Sequence, residues 1–148
     1  MSTIASDDLV LLQCFEAGQE PPDGFHHVDH IRVAWIYLRR HPLPEAVTKL
    51  CEGLKAFATA HGKPERYHET LTWAYALIIH DRMARAADGA RTWDAFIDAN
   101  RDLLTDGRSL LRQWYAPGTL DSPLAKRVFL WPDRALPAVE TTVVSASA

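Results

Sequence analysis

Apolar residues recur at intervals of three and four along most of this chain, which is the spacing of one face of an α-helix. The first such segment contains Leu9, Leu12 and Phe15, and the polar residues 6–8 before it suit a helix N-terminus. Residues 18–24 then interrupt the periodicity with two glycines and two prolines. The pattern predicts a short amphipathic helix followed by a loop.

Three longer periodic segments follow. The second segment of the chain covers residues 28–40 and stops before Pro42. The third begins near Pro44 and ends at Gly62, which suits the left-handed residue at a helix C-terminus. The fourth covers residues 69–87. Because apolar residues surround much of its circumference, we expect this helix in the middle of a bundle.

The last third of the chain predicts shorter helices. Thr92 is a typical N-cap for one of them, and residues 109–115 suit another. Ser122 and Pro123 form a cap and first-turn pair that opens a further helix, which we expect to continue until Pro132 ends it. No alternating run long enough for a β-strand interrupts this series.

The pattern therefore predicts an all-α protein, a single-domain helical bundle of about six to seven helices. With 148 residues and 47% apolar content the chain is large enough to bury a continuous core. We expect the helical domain to cover residues 1–137. Residues 138–148 are small and polar, and we expect them to form a flexible C-terminal tail.

Charge and composition narrow the classes of partner. The net charge is −3 and the basic residues are dispersed, which argues against a nucleic-acid partner. No apolar run approaches the roughly 20 residues that cross a bilayer, so we expect no membrane association.

Cys14 and Cys51 lie apart in apolar helical runs without a signal peptide ahead of them, which predicts reduced thiols in a cytoplasmic protein. We expect a small-molecule substrate or ligand as partner, and a homodimer stays open.

Histidine is concentrated at the starts of the second and fourth helices. Four of the seven histidines lie there, in the runs F-H-H-V-D-H and Y-H-E-T. On a helix, His30 shares a face with His27 three positions before it and with His26 four positions before it. The fourth helix begins with His68 and Glu69. If the two helix starts meet, one contributes two imidazoles and the other an imidazole and a carboxylate.

These residue types suggest a metal-dependent enzyme. His27, His30 and His68 would bind a divalent ion, and His26 is the alternative to His27. Three protein ligands with an open position are typical of catalytic zinc, so Zn²⁺ is the expected ion, with Fe, Ni or Mn as alternatives. Glu69 would act as general base towards a metal-bound water, or as a fourth ligand. The corresponding reaction is hydrolysis of a small molecule.

Aromatic residues flank the histidines and could wall a pocket for an apolar or aromatic ligand, whose polar end would meet the imidazoles. Thr72 shares the helix face of His68. Lys126 would complete such a pocket from the C-terminal part of the chain. The predicted substrate-binding residues are Phe25, Trp35, Tyr67, Thr72, Trp73 and Lys126.

Two other interpretations remain open. The first is a non-catalytic helical module that binds a ligand or a partner and in which the histidines form a hydrogen-bond network without metal. The second is an HD-like phosphohydrolase, suggested by His80 and Asp81 with His30 upstream. On a regular helix, however, His80 lies about a third of a turn from His68, and Asp81 lies further still, so this pair does not share the face of His68.

The sequence also contains motifs of a known family. It carries Phe25-x-His27-x-x-His30, Ala34-Trp35-x-Tyr37-Leu38, Tyr67-His68-Glu69-Thr70-x-Thr72, Tyr115, and Leu120-x-Ser122-x-x-Ala125-Lys126-x-x-Phe129-x-x-Pro132-Asp133. In these motifs the chain resembles a family of small bacterial all-helical proteins with an F/W-x-H-x-x-H-[LI] run and a Y-H-E-T-[IL]-T run. The resemblance covers most of the chain, favours His27 over His26, and implies no particular reaction. It departs at Lys126, where the family pattern has Arg, which speaks against a bidentate anion contact there.

Overall fold

A computed structural model describes residues 4–87, 91–105 and 108–134 of the chain. This part contains seven α-helices and no β-strand, which confirms the predicted all-α bundle. The α-helices are α1 (Ser6–Glu16), α2 (His27–Arg40), α3 (Leu43–Ala60), α4 (Glu69–Arg85), α5 (Trp93–Ala99), α6 (Pro117–Leu120) and α7 (Pro123–Arg127). Short 3-10 helices cover Pro64–Arg66, Arg101–Leu104 and Leu110–Gln113. The predicted tail, residues 138–148, lies outside the described residues.

Side-chain caps fix the starts of several helices as the sequence predicts. The Thr92 hydroxyl accepts a hydrogen bond from the backbone N–H of Ala95 at 3.2 Å, and the Ser122 hydroxyl accepts one from Ala125 at 3.2 Å. Such caps satisfy N–H groups that have no partner within the helix. At the end of α3, Gly62 adopts a φ of 71°, a left-handed conformation that glycine adopts without steric cost.

Helices α2 and α4 share the centre of the bundle. The sequence predicted this position for α4, which packs against α2, α3 and α7. Helix α2 packs against α1, α3, α4 and the 3-10 helix Arg101–Leu104. Its buried side chains are Ile31, Val33, Ala34, Trp35, Ile36 and Tyr37. Because the five consecutive residues 33–37 are all buried, α2 has apolar neighbours around most of its circumference.

Polar contacts fix α1 on α2. The guanidinium of Arg32 donates to the buried carboxylate of Asp8, with an Nε–Oδ1 distance of 2.6 Å. Further along both helices, the Tyr37 hydroxyl donates to Glu16 at 2.6 Å. Two polar pairs along one helix interface fix the orientation of α1 as well as its contact with α2.

A close approach between α1 and α3 depends on Gly53. A Cβ atom at this position would lie 2.5 Å from Cε2 and 2.8 Å from Cζ of Phe15, well inside van der Waals contact. The buried Phe15 ring therefore occupies the space that any other side chain at position 53 would need. The same ring stacks on Phe25 and Phe57, at centroid distances of 5.6 and 5.7 Å. This aromatic cluster joins α1, the loop before α2, and α3.

The C-terminal part differs from two predictions. The helix predicted over residues 109–115 is a 3-10 helix, Leu110–Gln113, and the helix predicted to reach Pro132 ends at Arg127. The chain is extended at Val128 because it packs across the first turn of α4. There the Thr70 hydroxyl donates to the carbonyl of Val128 at 2.8 Å and accepts from the N–H of Leu130 at 3.1 Å. If these residues were helical, the Val128 carbonyl and the Leu130 N–H would point along the helix axis and could not both pair with Thr70.

Among residues 4–87, 91–105 and 108–134, no helix combines the length and the apolar character needed to cross a membrane.

Candidate functional site: a pocket lined by histidines

A pocket of about 410 Å³ lies between α2, α3 and α4. Six residues that the sequence analysis singled out line it: Phe25, His27, His30, Tyr67, His68 and Thr72. The other lining residues are Glu20, Ile31, Ala34, Leu50, Leu54, Phe57, Ala58, His61, Lys63, Arg66, Leu71 and Tyr75. Imidazoles from two segments that are distant in the sequence therefore line one cavity.

His68 uses both ring nitrogens within the protein. As N-cap of α4, its Nδ1 accepts a hydrogen bond from the backbone N–H of Leu71 at 3.1 Å. Its Nε2 lies 2.7 Å from the carbonyl oxygen of Leu120. A carbonyl only accepts, so Nε2 carries the proton and the imidazole is neutral. Burial lowers the pKa of His68, which favours the same neutral form. The ring has no lone pair left for a metal ion.

His27 is held at one edge of its ring. Its Nε2 donates to the carbonyl of Leu103 at 2.8 Å, and the ring meets Tyr75 edge-on at a centroid distance of 5.6 Å. In the neutral form this bond leaves Nδ1 as an acceptor. Within the described part of the chain, no hydrogen-bond partner meets that nitrogen. His27 therefore contributes one acceptor to the pocket lining.

The neighbouring His26 is directed away from the pocket. Its Nε2 donates to the carbonyl of Asp23 at 2.7 Å, and its backbone N–H donates to the Asp29 carboxylate at 2.8 Å. His26 thus occupies the N-cap position of α2, and its side chain is exposed. Of the two adjacent histidines, His27 lines the cavity.

His30 has a different environment. Its ring packs edge-on against Phe25 at a centroid distance of 4.6 Å, and no hydrogen-bond partner for the ring lies among the described residues. Burial, reinforced by the neighbouring His27 and opposed by Asp29, lowers the pKa of His30 to about 4. At neutral pH the ring is uncharged and offers one donor and one acceptor.

Glu69, the predicted general base, lies outside the pocket lining. Its carboxylate accepts hydrogen bonds from the Tyr67 hydroxyl and from Trp73 Nε1, the latter at 3.0 Å. Lys55 Nζ lies 3.8 Å from the same carboxylate. Burial, together with hydrogen bonds to Cys51 and Glu69, raises the pKa of Tyr67 well above its usual range. These contacts place Glu69 in a network on the outer side of the pocket wall.

Three predicted substrate-binding residues also lie away from the pocket lining. Trp35 is 2% exposed and packs in the core against Trp93, at a centroid distance of 5.8 Å. Trp73 packs against Phe129, with the rings tilted and their centroids 5.6 Å apart, since its face of α4 turns towards the C-terminal segment. Lys126 is exposed on α7. All three lie on surfaces that pack elements together or face solvent.

The donor set does not fit the predicted three-histidine metal site. Within residues 4–87, 91–105 and 108–134, no group of three or more His, Cys, Asp or Glu side chains is arranged to hold a metal ion. Because both nitrogens of His68 form hydrogen bonds, only His27 and His30 of the three would offer a lone pair. The arrangement suggested by HD phosphohydrolases gains no support, since His80 is exposed and Asp81 pairs with Arg85 at 3.0 Å.

Sequence reasoning missed one wall and the rim of the pocket. Leu50, Leu54 and Phe57 of α3 line the cavity, although their helical spacing suggested core residues. Lys63 and Arg66, in the linker before α4, lie at the rim. Periodicity identifies the inner face of a helix but does not distinguish a packed face from one that borders a cavity.

Comparisons of the chain with protein-family models, with curated proteins and with solved structures found no match. The family resemblance drawn from the motifs therefore stays a prediction.

Proposed function

We propose that this chain binds a small, mainly apolar molecule in the pocket between α2, α3 and α4, with a polar group of the ligand against His30. The observation that carries the proposal is the His30 ring, which lines the cavity without a hydrogen-bond partner in the described part of the chain. The His30 side chain is partly buried and its ring nitrogens are not fully enclosed, so they face the cavity without a partner among the described protein residues. A molecule that fills the cavity displaces solvent from these nitrogens and has to replace the lost hydrogen bonds. A ligand that pairs with His30 supplies the missing partner.

The size and lining of the cavity support the same proposal. Its volume of about 410 Å³ falls in the range of small-molecule sites. Leu50, Leu54, Phe57 and Leu71 provide apolar walls, and His27 and His30 provide a small number of polar atoms. Apolar walls with a few directed polar groups are typical of sites that gain affinity from burial and selectivity from hydrogen bonds.

The proposal can be tested by blocking the cavity with one residue. Ala58 lines the pocket on α3, whereas Ala56 is exposed on the same helix. We expect Ala58→Trp to abolish binding of compounds found in a screen of apolar and aromatic molecules that carry a hydroxyl, amide or carboxyl group. Ala56→Trp, the matched control, should bind them like the wild type. Ligand-observed NMR and thermal shift measure the binding, since a ligand of the native state raises apparent stability.

Two results of this experiment would contradict the proposal. One is a screen in which no compound binds the wild type at millimolar concentration. The other is equal binding by Ala58→Trp and Ala56→Trp, which would put the ligands elsewhere on the surface. Circular dichroism of both variants establishes that the helical fold is retained in each. If Ala58→Trp is unfolded, Leu54→Phe fills the cavity with a smaller change in volume and replaces it in the comparison.

The predicted metal-dependent hydrolase has its own direct test. Elemental analysis of protein purified without a histidine tag, after expression in metal-replete medium, measures the bound metal. We expect less than stoichiometric metal, because His68 has no free lone pair and Glu69 lies outside the pocket lining. Stoichiometric Zn²⁺ that disappears in both His27→Ala and His30→Ala would restore the metal-dependent enzyme as the better interpretation.

A further inference from the structure

The rim and the interior of the pocket differ in charge. Lys63 and Arg66 line the rim and are exposed, and neither forms an ion pair within the described residues. In the interior, His30 and His68 are neutral at neutral pH, the polar groups of Tyr67, Thr72 and Tyr75 carry no charge, and His27 adds one further imidazole. A charged group would keep contact with water and with cations at the rim but would lose both in the interior.

The two cations are held side by side. Lys63 precedes the 3-10 helix Pro64–Arg66, and the N–H of Arg66 donates to the carbonyl of Lys63 at 3.0 Å. One tight turn therefore presents both side chains at the same edge of the pocket. Lys55 on α3, in contrast, pairs with Glu69 at 3.8 Å and covers the Tyr67 ring.

The rim also carries one negative charge. Glu20 lines the pocket from the loop before α2, and its side chain is exposed. Among the Lys, Arg, Asp and Glu side chains that line the pocket, two cations and one carboxylate leave a net charge of +1 at the rim, and the exposed Glu65 of the same turn lies outside the lining. This charge complements a monoanion, whereas a dianion would meet Glu20 with a second negative charge and no third cation to balance it.

We infer that the natural ligand is an amphipathic monocarboxylate, bound with its carboxylate at Lys63 and Arg66 and its apolar body inside the pocket. This inference rests on the proposed ligand-binding function and specifies the class of ligand. Arg66 can form a bidentate contact with a carboxylate, and Lys63 adds a point charge. The uncharged interior accommodates an aromatic or aliphatic body, and a hydroxyl or carbonyl on that body pairs with His30.

The test uses three compounds of one skeleton: naphthylacetate, its neutral amide naphthylacetamide, and naphthylmethylphosphonate, which carries more negative charge. We expect the wild type to bind the carboxylate about fivefold more tightly than the amide, as exposed charge pairs are weak individually. The phosphonate should bind no more tightly than the carboxylate. In the double variant Lys63→Gln/Arg66→Gln, the carboxylate and the amide should bind equally. Isothermal titration calorimetry measures all three affinities.

A charge-matched control separates the rim from the net charge of the protein. Lys49→Gln/Arg127→Gln removes two exposed cations that lie outside the pocket lining, and this variant should keep the wild-type preference for the carboxylate. The wild-type preference should also weaken as salt is added, because the rim is exposed to solvent.

The possible results separate the failure of this inference from the failure of the proposed function. If Ala58→Trp abolishes binding but the wild type binds amide and carboxylate equally, the pocket binds ligands and the carboxylate assignment is wrong. A preference for the carboxylate that survives in Lys63→Gln/Arg66→Gln contradicts the inference as well, and so does tighter binding of the phosphonate. If none of the three probes binds the wild type while compounds of the screen do, the inference fails alone. If no compound of the screen binds either, it falls together with the proposed function.

Discussion

The buried imidazole of His68 donates a hydrogen bond from Nε2 to the carbonyl oxygen of Leu120, at 2.7 Å. Leu120 is the last residue of α6, so this bond ties the first turn of α4 to the C-terminal part of the chain. Through Nδ1, the same ring caps α4. A histidine in an enzyme-like motif thus has a structural role that needs both of its nitrogens in one tautomer.

Replacing His68 tests this double role. We expect His68→Ala to lower the free energy of unfolding by about 2 kcal/mol, since the helix cap and a buried hydrogen bond each contribute about 1 kcal/mol. Asparagine is a good N-cap, so His68→Asn should recover about half of the loss. Urea unfolding measures both. His80→Ala, at an exposed position of α4, is the control and should change little. Equal stabilities of His68→Ala and His80→Ala would contradict the structural role.

The pKa of His30 predicts how stability depends on pH. Its value is about 4 in the folded state and 6.5 in the unfolded chain. As the pH falls below 6.5, the unfolded chain takes up a proton that the folded state does not bind, so the free energy of unfolding decreases until the pH reaches about 4. The difference corresponds to about 3 kcal/mol. The lowered pKa of His68 acts in the same direction.

The measurement is urea unfolding of the wild type and of His30→Leu at a series of pH values between 7 and 4. The His30→Leu variant lacks the titrating group, and its free energy of unfolding should decrease less steeply over this interval. His80→Gln removes an exposed histidine and should follow the wild type. If His30→Leu and the wild type show the same slope, His30 is not neutral in the folded protein.

Gly53 should be intolerant of any side chain. A Cβ at this position would lie 2.5 Å from the Phe15 ring. Overpacking of this kind costs about 1 to 3 kcal/mol, and the better helix propensity of alanine offsets about 1 kcal/mol of it. We expect Gly53→Ala to destabilise the protein by about 1 kcal/mol in thermal unfolding. Gly118→Ala is the control. A Cβ at position 118 would meet no atom of another part of the protein within 4 Å, so this change should be neutral or stabilising.

A second variant, Phe15→Leu, tests whether the ring contact causes the loss of stability in Gly53→Ala. Leucine at position 15 lacks the ring atoms that approach position 53, so in Phe15→Leu protein the further change Gly53→Ala should no longer destabilise. A cost that persists there would show that the ring contact is not its origin.

Thr70 should anchor the extended segment after α7. Its hydroxyl pairs with both the carbonyl of Val128 and the N–H of Leu130. Thr70→Val keeps the shape but leaves these two backbone groups unpaired, so we expect a loss of about 2 kcal/mol and faster amide hydrogen exchange at Leu130. Thr59→Val, at an exposed position of α3, is the matched control. Unchanged exchange at Leu130 would show that other contacts hold this segment.

The sequence predicted the helices better than the site. The starts of α5 and α7 follow from Thr92 and Ser122, because capping depends on residues within one helical turn. The helix predicted to reach Pro132 was too long, since the bonds from Thr70 come from a residue almost sixty positions earlier. Periodicity and caps carry no information about such distant partners.

For the candidate site, the motifs selected the correct neighbourhood without defining the roles of its members. His27, His30 and His68 line one pocket, but Glu69 and Trp73 pair with each other outside its lining. The side chains of adjacent residues in the first turn of a helix face different parts of the protein, so a short motif does not determine which of them faces a cavity.

The sequence by itself determined the helical class, most helix boundaries and the concentration of histidines at two helix starts, because these depend on residues near one another in the chain. Only the tertiary structure decided that α3 forms a wall of the pocket, that Lys63 and Arg66 border it, and that Leu120 engages His68. The physical reason is that the hydrogen-bond state of a side chain depends on which distant backbone groups the packing brings within about 3 Å of it.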